Sequence, residues 1–207
     1  MKPENILLDG VGHIALCDFG LCKINVEGQD KTSTFCGTPE YLAPEVLQGK
    51  GYTKAIDWWT LGILLFEMIT GLPPFYDENV QTMYKKIMTE PLTFPGYMSP
   101  QSVSVLQGII ERDPEKRFNE IQIKSHSFFR DSDFEKLYKK QVVPPFKPRV
   151  AAAGDTSNFD EIFTNEMPKD SYEEARLSES IQKQFVGFTF VPGSEMQTYT
   201  QKSQLNK

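Results

Sequence analysis

The order of apolar and polar residues predicts a short sheet at the start of the chain. Two β-type runs, residues 5–9 and 13–17, flank the sequence Gly-Val-Gly at 10–12. Glycines in such a short connection are typical of a hairpin turn, so the two runs are predicted to pair. Residues 18–45 are rich in Gly, Ser, Thr and Asp with little periodicity. This indicates a functional or a disordered connection, because structureless segments of that length are uncommon inside a domain.

Helical patterns occupy the middle of the chain. Residues 55–70, AIDWWTLGILLFEMIT, are apolar on nearly every side, which predicts a buried central helix that Gly71 and the following prolines end. Amphipathic spacing predicts three further helices at residues 79–88, 102–113 and 121–129. A hairpin followed by several helices predicts a mainly α fold with a small sheet at one edge.

The composition changes after about residue 130. Residues 142–150 are proline-rich and are predicted to be extended. Apolar anchors then alternate with polar and acidic stretches up to residue 192, and residues 193–207 are polar and are predicted to be disordered. Because such a strand cannot bury a core of its own, we expect residues 130–192 to wrap a larger body.

Charge and cysteine content narrow the classes of partner. The net charge is −6, which argues against nucleic acid or an anionic membrane surface as an electrostatic partner. The acidic balance suits basic peptides, but it is also ordinary for cytosolic proteins. Three cysteines without a Cys-x-x-Cys pair indicate a reducing compartment. The sequence has no apolar run of about 18 residues, so no membrane span is predicted. We therefore expect a cytoplasmic protein.

Four motifs carry a family resemblance. KPEN (2–5), CDFG (17–20), FCGTPEYLAPE (35–45) and DWWTLG (57–62) occur in this order. Together they resemble the C-terminal lobe of the eukaryotic protein kinases. The resemblance implies a partial kinase domain over residues 1–129, built from a β-hairpin edge and a helix bundle. It also implies that the kinase N-lobe is absent from these residues.

The resemblance implies ATP and Mg²⁺ as cofactors. Asp18 and Asn5 match residues that hold magnesium, and a hard cation prefers such oxygen ligands. Lys2 matches the lysine that neutralises the transferred phosphoryl group, Leu7 is expected under the adenine, and Cys17 is expected to face the nucleotide pocket. Taken one at a time, a turn-capping Asp, a strand-edge Asn and a solvated Lys would be ordinary structural features.

The stretch TFCGTPEYLAPE resembles the AGC group of serine/threonine kinases. Thr34 matches the phosphorylation site of the activation loop, and Thr38 matches the residue that favours serine and threonine over tyrosine. Glu4 and Glu67 match two acids that receive a substrate arginine, and paired carboxylates suit a guanidinium group. The implied partners are protein substrates with basic motifs and upstream activating kinases.

Three residues are given structural roles by the same resemblance. Glu45 is expected to pair with Arg117 in RDPEKRF as one buried ion pair under the loop. Asp57 at the start of the central helix is expected to cap backbone amides of the catalytic loop, although an acid at a helix N-terminus is common for its own sake.

The tail resembles the AGC C-terminal segment over residues 130–192. Phe159 in SNFDEIFT matches the aromatic residue that closes over the nucleotide. Thr189 in FVGFTF matches the phosphosite of the hydrophobic motif, and Ser171 fits the turn-motif phosphosite. LSESIQKQF (177–185) resembles the fungal Ypk-type relatives of the SGK and Akt kinases, although Phe188 stands where that branch usually has tryptophan.

Two functions from different classes remain open. No G-x-G-x-x-G motif occurs in these residues, and Met1 stands where the group has the leucine of an Arg-Asp-Leu run. In the first interpretation, the chain is therefore part of an AGC kinase and is expected to be inactive by itself. The alternative is a catalytically dead binding module that engages upstream kinases or substrates through its tail and acidic residues. We favour the first interpretation.

Overall fold

The computed structural model describes residues 1–23, 31–169, 178 and 180. The chain divides into two units, residues 1–158 and 159–207. The first unit contains β1 (Ile6–Leu8), β2 (Ile14–Leu16), α1 (Pro44–Leu47), α2 (Ala55–Thr70), α3 (Val80–Thr89), α4 (Pro100–Ile109), α5 (Glu120–Ser125) and α6 (Phe134–Tyr138). Three 3₁₀ turns cover Pro3–Asn5, Pro39–Tyr41 and Ser127–Phe129. In the second unit, α7 (Glu161–Thr164) begins after Asp160, whose carboxylate accepts a hydrogen bond from the Ile162 amide at 2.9 Å.

The predicted mainly α fold with a small sheet is confirmed. The strands β1 and β2 pair antiparallel with Ile6 opposite Leu16 and Leu8 opposite Ile14, as the turn at 10–12 predicts. The central helix α2 has the bounds that its apolar pattern predicts. No helix in the described part of the chain is long and apolar enough to cross a lipid bilayer.

The core forms where α2 meets α4. Trp59 and Ile63 of α2 and Val105, Leu106 and Ile109 of α4 have no exposed surface. The Trp59 ring stacks on Phe75, which lies between α2 and α3, with ring centroids 6.2 Å apart. Burying side chains of this size is the main favourable contribution to the free energy of folding.

Two of the predicted helices end earlier than their patterns indicate. The helix α4 ends at Ile109 rather than near residue 113, because Ile110 leaves the helical conformation with ψ 44°. Beyond this end, the carbonyl of Glu111 accepts a hydrogen bond from Arg117 Nε at 2.8 Å. The helix α5 ends at Ser125. There His126 leaves the helical conformation, and its Nδ1 accepts a hydrogen bond from the Phe128 amide at 3.1 Å, which begins a 3₁₀ turn.

The segment after α6 packs against the turn of the hairpin. Asp9 accepts hydrogen bonds from the amides of Val11 and His13 at 3.0 and 2.9 Å, and its other oxygen pairs with Lys140 Nζ at 3.1 Å. These contacts, the Lys140 bond first, lower the pKa of Asp9 to about 2. Gly12 has φ +100°, and the Phe146 carbonyl fills the space that a Cβ would need. Only glycine fits this position without strain.

Candidate functional site

A cavity of about 590 Å³ lies between the start of the chain, the segment after β2, the loop before α1 and the first turns of α2. Five of the residues predicted from the motifs line this cavity, namely Lys2, Asn5, Asp18, Thr38 and Asp57. These residues come from four separate parts of the sequence, so the fold is what brings them together.

The hairpin places the residues expected around the adenine on one face. The Cys17 amide donates to the Asn5 carbonyl at 2.9 Å, and Leu7 lies opposite Ala15. Because side chains alternate along a strand, Asn5, Leu7, Ala15 and Cys17 share one face of the hairpin. The Leu7 side chain is 45% exposed. The Cys17 thiol donates to the Glu4 carbonyl at 3.9 Å, and Cys17 is not among the residues that line the cavity.

The Asp18 backbone adopts a left-handed conformation with φ +59°. Few residues other than glycine do so, and such positions cluster where a side chain must be aimed. Its Oδ1 accepts only a long hydrogen bond, 3.4 Å, from the Gly20 amide. Asp18 and Asn5, which carry a carboxylate and an amide oxygen, both line the cavity. This donor set fits magnesium, a hard cation that takes oxygen ligands and keeps several waters.

Asp57, at the start of α2, lies on the wall of the cavity. Among the residues that the structure describes, no backbone amide donates to the Asp57 carboxylate, so the capping of the catalytic loop stays a prediction. The desolvating cavity wall raises the pKa of this carboxyl group, although the side chain keeps contact with solvent.

Three acids act on Tyr41, which lies in the 3₁₀ turn before α1. The Tyr41 hydroxyl donates to Glu67 Oε2, so Glu67 has the partner that an acid on an apolar helix needs. Burial, the bond to Glu67 and the nearby charges of Glu4 and Glu40 all raise the pKa of Tyr41. The structure therefore groups Glu4 and Glu67, the two acids that the motifs predict, around one tyrosine.

Glu40 is the functional candidate that the motifs did not single out. Its Oε2 is buried and has no hydrogen-bond partner among the described residues. A buried carboxylate oxygen without a partner is costly, which indicates a place for a cation or a donor from outside. The only signal in the sequence is an acid between two prolines in PEYLAP, residues 39–44.

The structure contains the ion pair between Glu45 and Arg117. Arg117 Nη1 and Nη2 lie 2.7 and 3.0 Å from the two carboxylate oxygens of Glu45. The Arg117 side chain has no exposed surface, and that of Glu45 is 9% exposed. Arg117 also donates to the carbonyls of Ala55 and Glu111 at 2.9 and 2.8 Å. The pair thus joins α1, the start of α2 and the segment after α4.

The predicted phosphorylation sites differ in what the structure describes. Thr34 is exposed, as is Lys23, its expected basic partner. Ser171 and Thr189 lie outside the described residues. Phe159 belongs to the second unit, where its side chain is 60% exposed.

Comparison with known proteins finds protein kinase domains in this sequence. Residues 1–129 match the protein kinase domain, and residues 153–190 match the protein kinase C terminal domain. The chain is 57% identical over 199 residues to serine/threonine-protein kinase YPK1 of Saccharomyces cerevisiae, covering 95% of this chain and 29% of that protein.

Two further relatives show the same pattern. The kinase gad8 of Schizosaccharomyces pombe is 57% identical over 194 residues, which cover 92% of this chain and 34% of that protein. Human serine/threonine-protein kinase Sgk2 is 44% identical over 200 residues, covering 93% of this chain and 54% of that protein. The chain thus spans about a third of the length of the two yeast relatives.

Proposed function

The chain belongs to the protein kinase family, within the AGC group of serine/threonine kinases, and on that premise we propose that it forms the phosphate and substrate side of an ATP-dependent kinase. The proposed reaction transfers a phosphoryl group to serine or threonine in proteins with basic motifs. The observation that carries the proposal is the cavity on which Lys2, Asn5, Asp18 and Thr38 meet.

Each of these residues has a proposed task. Asn5 and Asp18 would hold magnesium through oxygen atoms, and the ion would supply positive charge to the phosphates of ATP. Lys2 places an ammonium group where the transferred phosphoryl gains charge. Thr38, on the same cavity wall, contacts the acceptor residue and favours serine and threonine. Leu7 presents an apolar surface under the adenine.

The acids around Tyr41 define the proposed substrate class. Glu67 accepts a hydrogen bond from the Tyr41 hydroxyl, and the charges of Glu4 and Glu40 act on the same hydroxyl group. The buried oxygen of Glu40 has no partner among the described residues. A substrate arginine offers several N–H donors in a planar arrangement, so it would pair with these carboxylates. We propose that these acids bind basic side chains near the acceptor hydroxyl of the substrate.

Regulation and location are proposed on sequence grounds. Thr34, Ser171 and Thr189 would be modified by upstream kinases, because a phosphate adds nearly two negative charges and can order a loop against basic side chains. The described cysteines Cys17, Cys22 and Cys36 are all free thiols, which suits the proposed cytoplasmic location.

A chimera tests the proposed function. In YPK1 of Saccharomyces cerevisiae, the matching 199 residues are replaced by this chain, and phosphorylation of a serine peptide with upstream arginines is measured. We expect activity that Asp18→Asn lowers by about a hundredfold or more, the scale of losing one contact to developing charge. Glu40→Gln should raise KM for this peptide by about tenfold, as for one lost charge-assisted hydrogen bond.

The chimera experiment also includes a control variant and tests the alternative function. Glu78→Gln removes the charge of an exposed acid and should change neither KM nor kcat. An inactive chimera that still melts cooperatively contradicts the kinase proposal. Retained binding of the arginine peptide by that chimera would favour the alternative, a binding module without phosphotransfer.

The 207-residue chain on its own is proposed to be inactive. This sequence contains no G-x-G-x-x-G motif, which in kinases forms the loop that covers the phosphates. Positioning of the phosphates supplies most of the rate enhancement in phosphoryl transfer. Phosphorylation of the arginine peptide by the purified chain, lost in Asp18→Asn, would contradict this.

A further inference from the structure

Tyr52 holds the segment that carries Thr34 at two points. Its backbone forms a bridge with Thr32, in which the Thr32 amide donates to the Tyr52 carbonyl at 3.0 Å and the Tyr52 amide donates back at 2.9 Å. Its hydroxyl then donates to the Thr34 carbonyl at 2.6 Å. One residue therefore fixes the backbone of a segment that has no regular secondary structure of its own.

The two ends of this contact differ in exposure. Tyr52 is 9% exposed and belongs to the core cluster, whereas Thr34 and Phe35 are exposed. Burial, together with the neighbouring Cys36, raises the pKa of Tyr52 further above neutral pH. The segment is tied to the core through its backbone, while the threonine side chain stays at the surface.

We infer that Tyr52 is a positioning residue that anchors the segment around Thr34 and slows the access of modifying enzymes to it. Kinases, phosphatases and proteases bind an extended chain on both sides of the group they act on, so the anchored carbonyl of Thr34 must first be released. This inference rests on the proposed function only in taking Thr34 as a phosphorylation site. The anchoring itself rests on the contacts of Tyr52.

Removing one hydroxyl tests the anchor. Tyr52→Phe keeps the ring and the backbone bridge but loses the bond to the Thr34 carbonyl, and Tyr97→Phe, at a side chain that is 70% exposed, is the matched control. Trypsin cuts after Lys31, which directly precedes the bridge. We expect Tyr52→Phe to raise the rate of this cut and the hydrogen exchange of the Thr32 amide about threefold to tenfold, the usual effect of one hydrogen bond.

A merely structural role of Tyr52 would give a different result. The anchor predicts a local change, with the melting temperature within about 2 °C of the unmodified chain and exchange in α2 and α4 unaltered. Equal cleavage and exchange rates for Tyr52→Phe and the unmodified chain overturn the inference. So does a rise in exchange that is spread evenly over the whole first unit.

The phosphorylation site is tested separately. The chain is produced in yeast, Thr34 phosphate is measured by mass spectrometry, and its removal by a broad-specificity phosphatase is timed. Removal about threefold or more faster from Tyr52→Phe supports the inference, and equal rates overturn the claim about access. If Thr34 carries no phosphate in either protein, the proposed phosphorylation site is wrong, while cleavage after Lys31 still decides whether Tyr52 anchors the segment.

Discussion

Arg117 and Lys116 are neighbours in the sequence with opposite surroundings. The Arg117 side chain is fully buried in its pair with Glu45, whereas the pair between Lys116 and Asp113 is exposed, with 75% of the lysine side chain at the surface. Arg117→Met leaves a buried carboxylate without its partner, so the free energy of unfolding should fall by about 3–5 kcal/mol. Urea unfolding of the purified chain measures this loss.

Lys116→Met is the matched control for this residue. Exposed ion pairs contribute little, so its effect should stay within about 1 kcal/mol. The double variant Glu45→Leu with Arg117→Met should recover part of the loss, since replacing both charges leaves neither unpaired. Equal losses for Arg117→Met and Lys116→Met would show that the buried pair contributes no more than an exposed one.

At the scale of elements, the approach of α2 to α4 depends on Gly62. A Cβ on this residue would lie 2.6 Å from Ile109 Cγ2 and 2.7 Å from Ile110 Cγ1. Gly62→Ala gains about 1 kcal/mol of helix propensity, but overpacking a core costs about 1–3 kcal/mol. We expect net destabilisation, seen as a lower melting temperature.

Gly96→Ala is the corresponding control, because nothing lies within 4 Å of a Cβ at that position. It should be neutral or slightly stabilising, since alanine restricts the unfolded chain more than glycine does. A melting temperature for Gly62→Ala at or above that of Gly96→Ala would mean that α4 shifts without cost.

At the scale of the whole molecule, the hairpin exposes apolar side chains on both faces. Leu7, Leu8, Ile14 and Leu16 are each 45–67% exposed, and Phe19 after the hairpin is 64% exposed. Exposed apolar side chains grouped on one small element favour association. The purified chain should self-associate at micromolar concentration, and Ile14→Lys should reduce the associated fraction in light scattering.

A second lysine substitution, away from the hairpin, distinguishes the loss of the hairpin's apolar surface from a general gain in solubility. Ile121, on α5, is 78% exposed and lies far along the sequence from the hairpin. Ile121→Lys adds the same charge and should leave the association unchanged. A monodisperse monomer for the unmodified chain would contradict the prediction.

The sequence predicts elements best where one pattern decides the structure. The bounds of α2 follow from its apolar residues and Gly71, because burial on all sides and a glycine cap both act locally. The ends of α4 and α5 do not follow, because Ile110 leaves the helical conformation next to the carbonyl that Arg117 binds, and the ring of His126 accepts from the Phe128 amide in place of a helical carbonyl. Such contacts join residues whose approach no local pattern specifies.

The candidate site shows the same division. The motifs identified Asn5 and Asp18, which line the same cavity. Both residues lie in short motifs that can be recognised from the sequence alone. The motifs missed Glu40, and the capping role that they assign to Asp57 stays a prediction. Whether a carboxylate meets an amide, a tyrosine or nothing depends on packing across elements, and Tyr52 was missed for the same reason.

The close contact between Gly12 and Phe146 has an evolutionary consequence. Any side chain at position 12 would displace the Phe146 carbonyl and the Pro144 ring, so a change on the hairpin turn cannot be selected independently of the segment that covers it. In related sequences, a residue other than glycine at this turn should therefore accompany an insertion, a deletion or a different path near positions 144–146. An alignment in which the two places vary independently would contradict this coupling.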